Sequence, residues 1–260
     1  AGTATGSLFV LYKLLPLAGS SWYDILALVG IVTFLLSNFM GISQKNTNRL
    51  LGYSSIGQIG LLIAVLGFKP LLGESFSFVF LSIFISHFLA KAGLFWLSGI
   101  VKKKEINGYG IIRKSGAMLL FFGIFIFTLV GFPPFPSFYG KWEFIMNLAG
   151  ERAFIWIAAV LIGSFFEGLY LFRWLGYALK APVADEEKLP LAWEKTLPVV
   201  LSGMLIVAAA FVTNQNFMQG SAIKLLPLAF VLVLFLIDDL PAFVKNTLLI
   251  AALAVYGSIL

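Results

Sequence analysis

Residues 131–141 read GFPPFPSFYGK and interrupt an apolar run from Ala117 to Ala149. The run is too long for one straight crossing of a hydrocarbon core about 30 Å thick, which takes roughly 20 helical residues. Pro133, Pro134 and Pro136 remove three backbone donors and bar a regular helix, while Gly131 and Gly140 loosen its flanks. Irregular backbone persists at membrane depth only where protein or water satisfies it, and such breaks commonly line ion paths. The stretch therefore predicts one discontinuous helix, with halves over 117–132 and 137–149, and sets Lys141 directly after the break. As two halves of one crossing they make Lys141 intramembrane and water-accessible. As two interfacial pieces they make it an ordinary snorkelling lysine.

Outward from the break the same character continues. Sixty per cent of the 260 residues are hydrophobic, 12% are charged and the mean hydropathy is +0.98, a balance suited to lipid rather than to a water-facing surface. Apolar runs fall at 3–18, 22–43, 50–68, 75–101, 117–149, 153–179, 196–212 and 223–260. The last is split at Asp238, Asp239 and Pro241 into 223–237 and 242–260. The expected fold is an all-α polytopic transmembrane helix bundle of about eight spans (eight to nine helices), one transmembrane domain over residues 1–260, with no segment left for a soluble domain. Ala1 to Thr5 carry neither an initiating methionine nor a basic region ahead of a cleavage site. Residues up to Leu17 make a short, Gly-rich opening run, and the expectation is no signal peptide and a fragment or truncated relative of a longer protein.

The net charge of +6 raises nucleic acid as a partner, but the basic residues occupy short turns with no aromatic-interleaved patch. The turns at 42–49, 102–116, 180–195 and 238–245 hold eleven of them: Lys45, Arg49, Lys102, Lys103, Lys104, Arg113, Lys114, Lys180, Lys188, Lys195 and Lys245. The opposite set holds three, Lys69, Arg152 and Lys224, so the first set is cytoplasmic. With no cysteine the chain offers no disulfide, thiolate-bound zinc or ordinary iron–sulfur site, and any redox chemistry belongs to a partner.

Four basic residues stay inside apolar runs, Lys13, Lys91, Lys141 and Arg173, with His87, Glu143 and Glu167 nearby. A charge at the bilayer centre costs roughly 2.5–3.5 kcal/mol on insertion scales, so such groups face protein or water and often serve transport. Lys13, near a span end, fits snorkelling. His87 and Lys91 lie four apart in SHFLAKAGLF (86–95), on one helix face near the middle of the 75–101 span. A lysine sensitive to desolvation and a histidine that titrates near neutrality make a two-step relay; the alternative is a hydrogen-bonded pair that only holds helices together. Glu143, two residues beyond Lys141, points to another face, and Glu167 and Arg173, six apart, share none, so each is expected to pair across helices. Tyr53, Ser54, Ser55 and Gln58 can carry ordered water or simply bond helices together.

Three ordered segments, NRLLGYSSIGQIG (48–60), SHFLAKAGLF (86–95) and GFPPFPSFYGKWEF (131–144), resemble the second half of the antiporter-like subunits. Such subunits occur in respiratory complex I, Mrp-type cation/proton antiporters and membrane-bound hydrogenases. The resemblance is best over residues 40–180. It implies inverted five-helix repeats, each with a broken helix and a central lysine, and a mid-membrane polar chain that moves protons. By this resemblance Lys91 matches the central lysine of the second repeat, His87 the histidine one turn before it, and Lys141 the terminal lysine beside the broken helix, which is glutamate in some members. Arg49, Tyr53, Ser54 and Ser55 match the motif that opens an earlier helix. Asn48 stands where the family usually has lysine, and the first repeat, with its glutamate–lysine pair, is absent.

The combined expectation is a proton- or cation-translocating subunit of a redox-driven complex with a relay through His87, Lys91 and Lys141. Arg49, Tyr53, Ser54, Ser55, Gln58, Glu143, Glu167 and Arg173 form an auxiliary polar path. The chain is expected to catalyse nothing alone and to carry no cofactor or metal. Its expected partners are other multi-span membrane subunits, membrane lipid and a peripheral iron–sulfur-bearing arm, in a prokaryotic cell membrane or an organellar energy-converting membrane. A non-conducting scaffold and a free-standing Mrp-type antiporter are the alternatives. The antiporter wants a carboxylate-rich cation site, and only Glu143 and Glu167 are intramembrane candidates.

Overall fold

Lipid offers the backbone no hydrogen-bonding partner, so each apolar run closes on itself as a helix. The computed structural model describes residues 2–17, 19–180, 189 and 193–217. The helices are α1 (Gly2–Leu14), α2 (Ser21–Ile42), α3 (Thr47–Gly67), α4 (Lys69–Leu72), α5 (Ser75–Val101), α6 (Gly116–Val130), α7 (Pro136–Gly150), α8 (Phe154–Ala178) and α9 (Trp193–Phe217). No strand forms among the described residues; one isolated antiparallel bridge joins Asn46 to Glu105. Helices α2, α3, α5, α8 and α9 are each long and apolar enough to cross a membrane. The chain is an all-α, multi-pass membrane protein. The expected spans 223–237 and 242–260 and their split at Asp238, Asp239 and Pro241 lie outside the described residues.

The expected break is present. Helices α6 and α7 hold 15 residues each, a rise of about 22 Å apiece, so neither reaches across alone. Gly131 ends α6 with φ +80°, and Gly131 and Phe132 both donate their N–H to the Phe127 carbonyl, at 3.2 and 3.0 Å. This is the left-handed glycine stop that satisfies the last carbonyls of a helix. Phe135 is extended, and Pro136 opens α7 in the first turn, where its missing N–H costs nothing. The Pro133–Pro134 bond is cis. Across the gap, the Ser137 hydroxyl donates to the Thr128 carbonyl.

Two connectors differ from expectation. The turn after residue 68 contains the short helix α4, and the basic loop 102–116 contains a 3-10 helix, Ile106–Lys114. Ile106, Tyr109, Ile111 and Ile112 of that segment are buried, and the Tyr109 ring meets Trp174 of α8 edge-on at 5.0 Å. The run is too short to show a helical period in sequence, and its basic residues mask its apolar face.

Helices α2 and α3 are in near backbone contact. A Cβ built on Gly30 would lie 2.3 Å from the Ala64 nitrogen, and one on Gly67 would lie 2.3 Å from the Ala27 nitrogen. Small residues at a membrane helix interface let dispersion and weak polar contacts act at short range, where no hydrophobic effect drives association. The pair thereby fixes α3, and α3 carries much of the polar cluster.

Candidate functional site

Leu51, Ser54, Ser55 and Gln58 occupy one face of α3 at i, i+3, i+4 and i+7. Three other helices bring charges to this face. From α5, Lys91 Nζ donates to the Leu51 carbonyl at 2.9 Å, an oxygen that also accepts from the Ser55 hydroxyl at 2.9 Å. From α8, Glu167 accepts at Oε2 from Gln58 Nε2 at 2.6 Å and at Oε1 from the Ser54 hydroxyl at 3.4 Å. From α7, Lys141 Nζ lies 3.3 Å from Glu167 Oε2 and donates to the Val130 carbonyl at 3.3 Å. Val130 is the last residue of α6, so its carbonyl is one that the break leaves without an intrahelical partner.

Burial makes these contacts matter. Lys91 is 4% exposed, Lys141 6% and Glu167 0%. A charge so deeply removed from water is tolerated only with partners that replace solvation.

His87 and Lys91 line one cavity of about 190 Å³ with Ser55, bounded by α1, α3 and α5. His87 Nδ1 is buried with no hydrogen-bond partner among the described residues. Most of the cavity lining is apolar, from Leu8, Ile59, Leu62, Phe84, Phe88 and Phe95, with Thr5, Ser55, His87 and Lys91 as its polar members. A lysine pressed among apolar neighbours without a polar contact would have argued for a scaffold; Lys91 has a carbonyl, and its cavity carries a hydroxyl and an imidazole.

The remaining expected residues separate. Arg49 is exposed in the first turn of α3, and Tyr53 is half-buried. Arg173 donates to the carbonyls of Ile42 and Gln44, tying α8 to the end of α2. Glu143 accepts from the Ser75 hydroxyl at 2.8 Å and Asn147 Nδ2 at 3.1 Å, at the start of α5 and away from the lysines. Lys13 is exposed in the last turn of α1, over the Phe9 ring. The sequence reading missed the Tyr170 hydroxyl, which donates to Asn38 Oδ1 at 2.8 Å beside this cluster. Its signal was available, since Tyr170 follows Glu167 by three residues and Asn38 is a polar residue inside an apolar run. Among the described residues no group of three or more His, Asp or Glu is arranged to hold a metal ion.

The family model described as "NADH:quinone oxidoreductase/Mrp antiporter, TM" matches residues 3–167. The NADH-quinone oxidoreductase subunit N of Sulfurovum sp. (strain NBC37-1) is 28% identical over 208 residues, covering 74% of this chain and 41% of that relative. A chain of respiratory complex I from Thermus thermophilus is 25% identical with a TM-score of 0.58, over 75% of this chain and 44% of that one. A chain of the membrane-bound sulfane sulfur reductase, an archaeal respiratory membrane complex, has a TM-score of 0.68 at 24% identity, over 79% and 43%. The chain spans less than half the length of each of these relatives.

Proposed function

The chain belongs to the NADH:quinone oxidoreductase/Mrp antiporter transmembrane family, and on that premise we propose that it is a proton- or cation-translocating membrane subunit of a redox-driven complex. The observation that carries this reading is the placement of two buried lysines, Lys91 and Lys141, beside the polar face of α3, one of them at the break between α6 and α7. Intramembrane ionisable groups of this kind serve ion and proton paths. The relay runs through His87 and Lys91 at the cavity, then the Ser54, Ser55 and Gln58 face, to Lys141. Ser54 and Ser55 supply hydroxyls that both accept and donate, as a proton path requires.

Energy for translocation comes from partner subunits, because the cysteine-free chain has no thiolate with which to hold an iron–sulfur centre. The partners are other multi-span membrane subunits and a peripheral iron–sulfur-bearing arm. The test is pH-gradient formation by the purified assembly in liposomes. Lys91→Met should leave the assembly intact and lower coupled translocation at least about tenfold, the effect of losing one proton carrier. Wild-type pumping by a well-assembled Lys91→Met variant would reject the relay in favour of a non-conducting scaffold.

A further inference from the structure

Among the described residues Glu167 is the only buried acid, whereas Lys91 and Lys141 are both buried bases. One carboxylate therefore serves two lysine side chains. In this arrangement it contacts Lys141, while Lys91 is bonded to a neutral acceptor, the Leu51 carbonyl. Lys91 nevertheless bonds to the same helix, α3, as Glu167. The two Glu167 oxygens are held on α3 by Gln58 and Ser54, one helical turn along the same face from the Leu51 carbonyl and the Ser55 hydroxyl.

We infer that Glu167 is the shared counter-charge of Lys91 and Lys141, one carboxylate that neutralises the two lysines alternately. The inference rests on the proposed relay and gives it a mechanism. In one state Lys141 is an ammonium paired with Glu167, and Lys91 is a neutral amine that donates to Leu51. In the other, Lys91 holds the proton and Lys141 is the neutral amine. Passage between them moves one proton from one lysine nitrogen to the other through the Ser54 and Ser55 hydroxyls or cavity water, and the carboxylate is ionised before and after. Two ammonium groups at once would leave one buried cation uncompensated, so the cluster carries one proton between two sites. Of the titratable groups around it, His87 lies on α5 and lines the same cavity as Lys91, and Tyr170 lies on α8 bonded to Asn38.

The test is Glu167→Gln, which keeps the shape and one acceptor oxygen and removes the charge, in the purified assembly reconstituted in liposomes. Coupled pH-gradient formation should fall at least tenfold, and Glu167→Asp should recover part of it. Because Glu167→Gln alone leaves Lys141 unpaired, the double variant Lys141→Met/Glu167→Gln, which carries no unpaired charge at that contact, serves as the folding control. It should assemble and fail to pump. Wild-type pumping by either variant overturns the inference. If Lys91→Met loses pumping while Glu167→Gln keeps it, the relay stands without a shared counter-charge; if both pump normally, the relay itself fails.

Discussion

Lys141 Nζ lies 3.3 Å from Glu167 Oε2 and the same distance from the Val130 carbonyl, so one ammonium group joins α7, α8 and the end of α6. Removing it leaves the buried Glu167 carboxylate with the Ser54 hydroxyl and the Gln58 amide, and with Lys91 as the other base of the cluster. Lys141→Met should destabilise the protein, by less than the about 3–5 kcal/mol of breaking an isolated buried pair from one side. Adding Glu167→Gln should recover most of that loss. Thermal unfolding of the detergent-solubilised protein measures both, and equal melting temperatures for the single and double variants would show that the pair is not coupled.

Gly131 serves twice. Its φ of +80° is a left-handed conformation, and a Cβ there would lie 3.2 Å from Lys141 Cδ and 3.4 Å from its Nζ. Gly131→Ala should cost about 1–2 kcal/mol in backbone strain and push the Lys141 stem off its partners, lowering translocation. Gly123→Ala is the contrast: nothing lies within 4 Å of its Cβ, and in a helix interior alanine is favoured by roughly 0.5–1 kcal/mol. A translocation assay in which both variants behave alike would refute the role given to Gly131.

Bulk at the α2–α3 contact has nowhere to go. The atoms facing Gly30 and Gly67 are backbone, which cannot rotate aside. Gly30→Val should force the helices apart and cost at least the 1–3 kcal/mol typical of overpacking. It should also lower translocation, because α3 carries Leu51, Ser54 and Gln58. Unfolding and liposome measurements on the same preparation check the two effects together.

Glu143 is near Lys141 in sequence and has different partners in the structure. Its carboxylate serves Ser75 and Asn147 at the first turn of α5. Glu143→Gln should lower stability by no more than about 1 kcal/mol and leave pumping unchanged. A strong pumping defect in an assembled Glu143→Gln protein would place this carboxylate on the path.

The break was legible because its chemistry is local: proline and glycine act on their own backbone, and Lys141 follows directly. The shared face of His87 and Lys91 was legible for a similar reason, since a helix fixes which residues four apart are neighbours. The central position of Glu167 was not. Both Glu143 and Glu167 sit in apolar runs, and which one meets a lysine depends on how α7 and α8 are rotated against α3, a quantity that spacing along one helix does not contain. The α2–α3 contact left a clear trace, small residues at Gly60 and Ala64, but a stripe of that kind names no partner helix. The 3-10 segment at 106–114 was hidden by its length.

The grip of α2 on α3 has a mechanical consequence. One side of α3 touches a neighbouring backbone without side-chain cushioning, so it can neither roll nor slide there without collision. The opposite side presents Leu51, Ser54 and Gln58 to Lys91 and Glu167. A rail of this kind leaves displacement to the elbow between Val130 and Pro136, where irregular chain joins two short rods. Any rearrangement of Lys141 relative to Ser54 and Gln58 would therefore hinge at that elbow rather than slide α3 along α2.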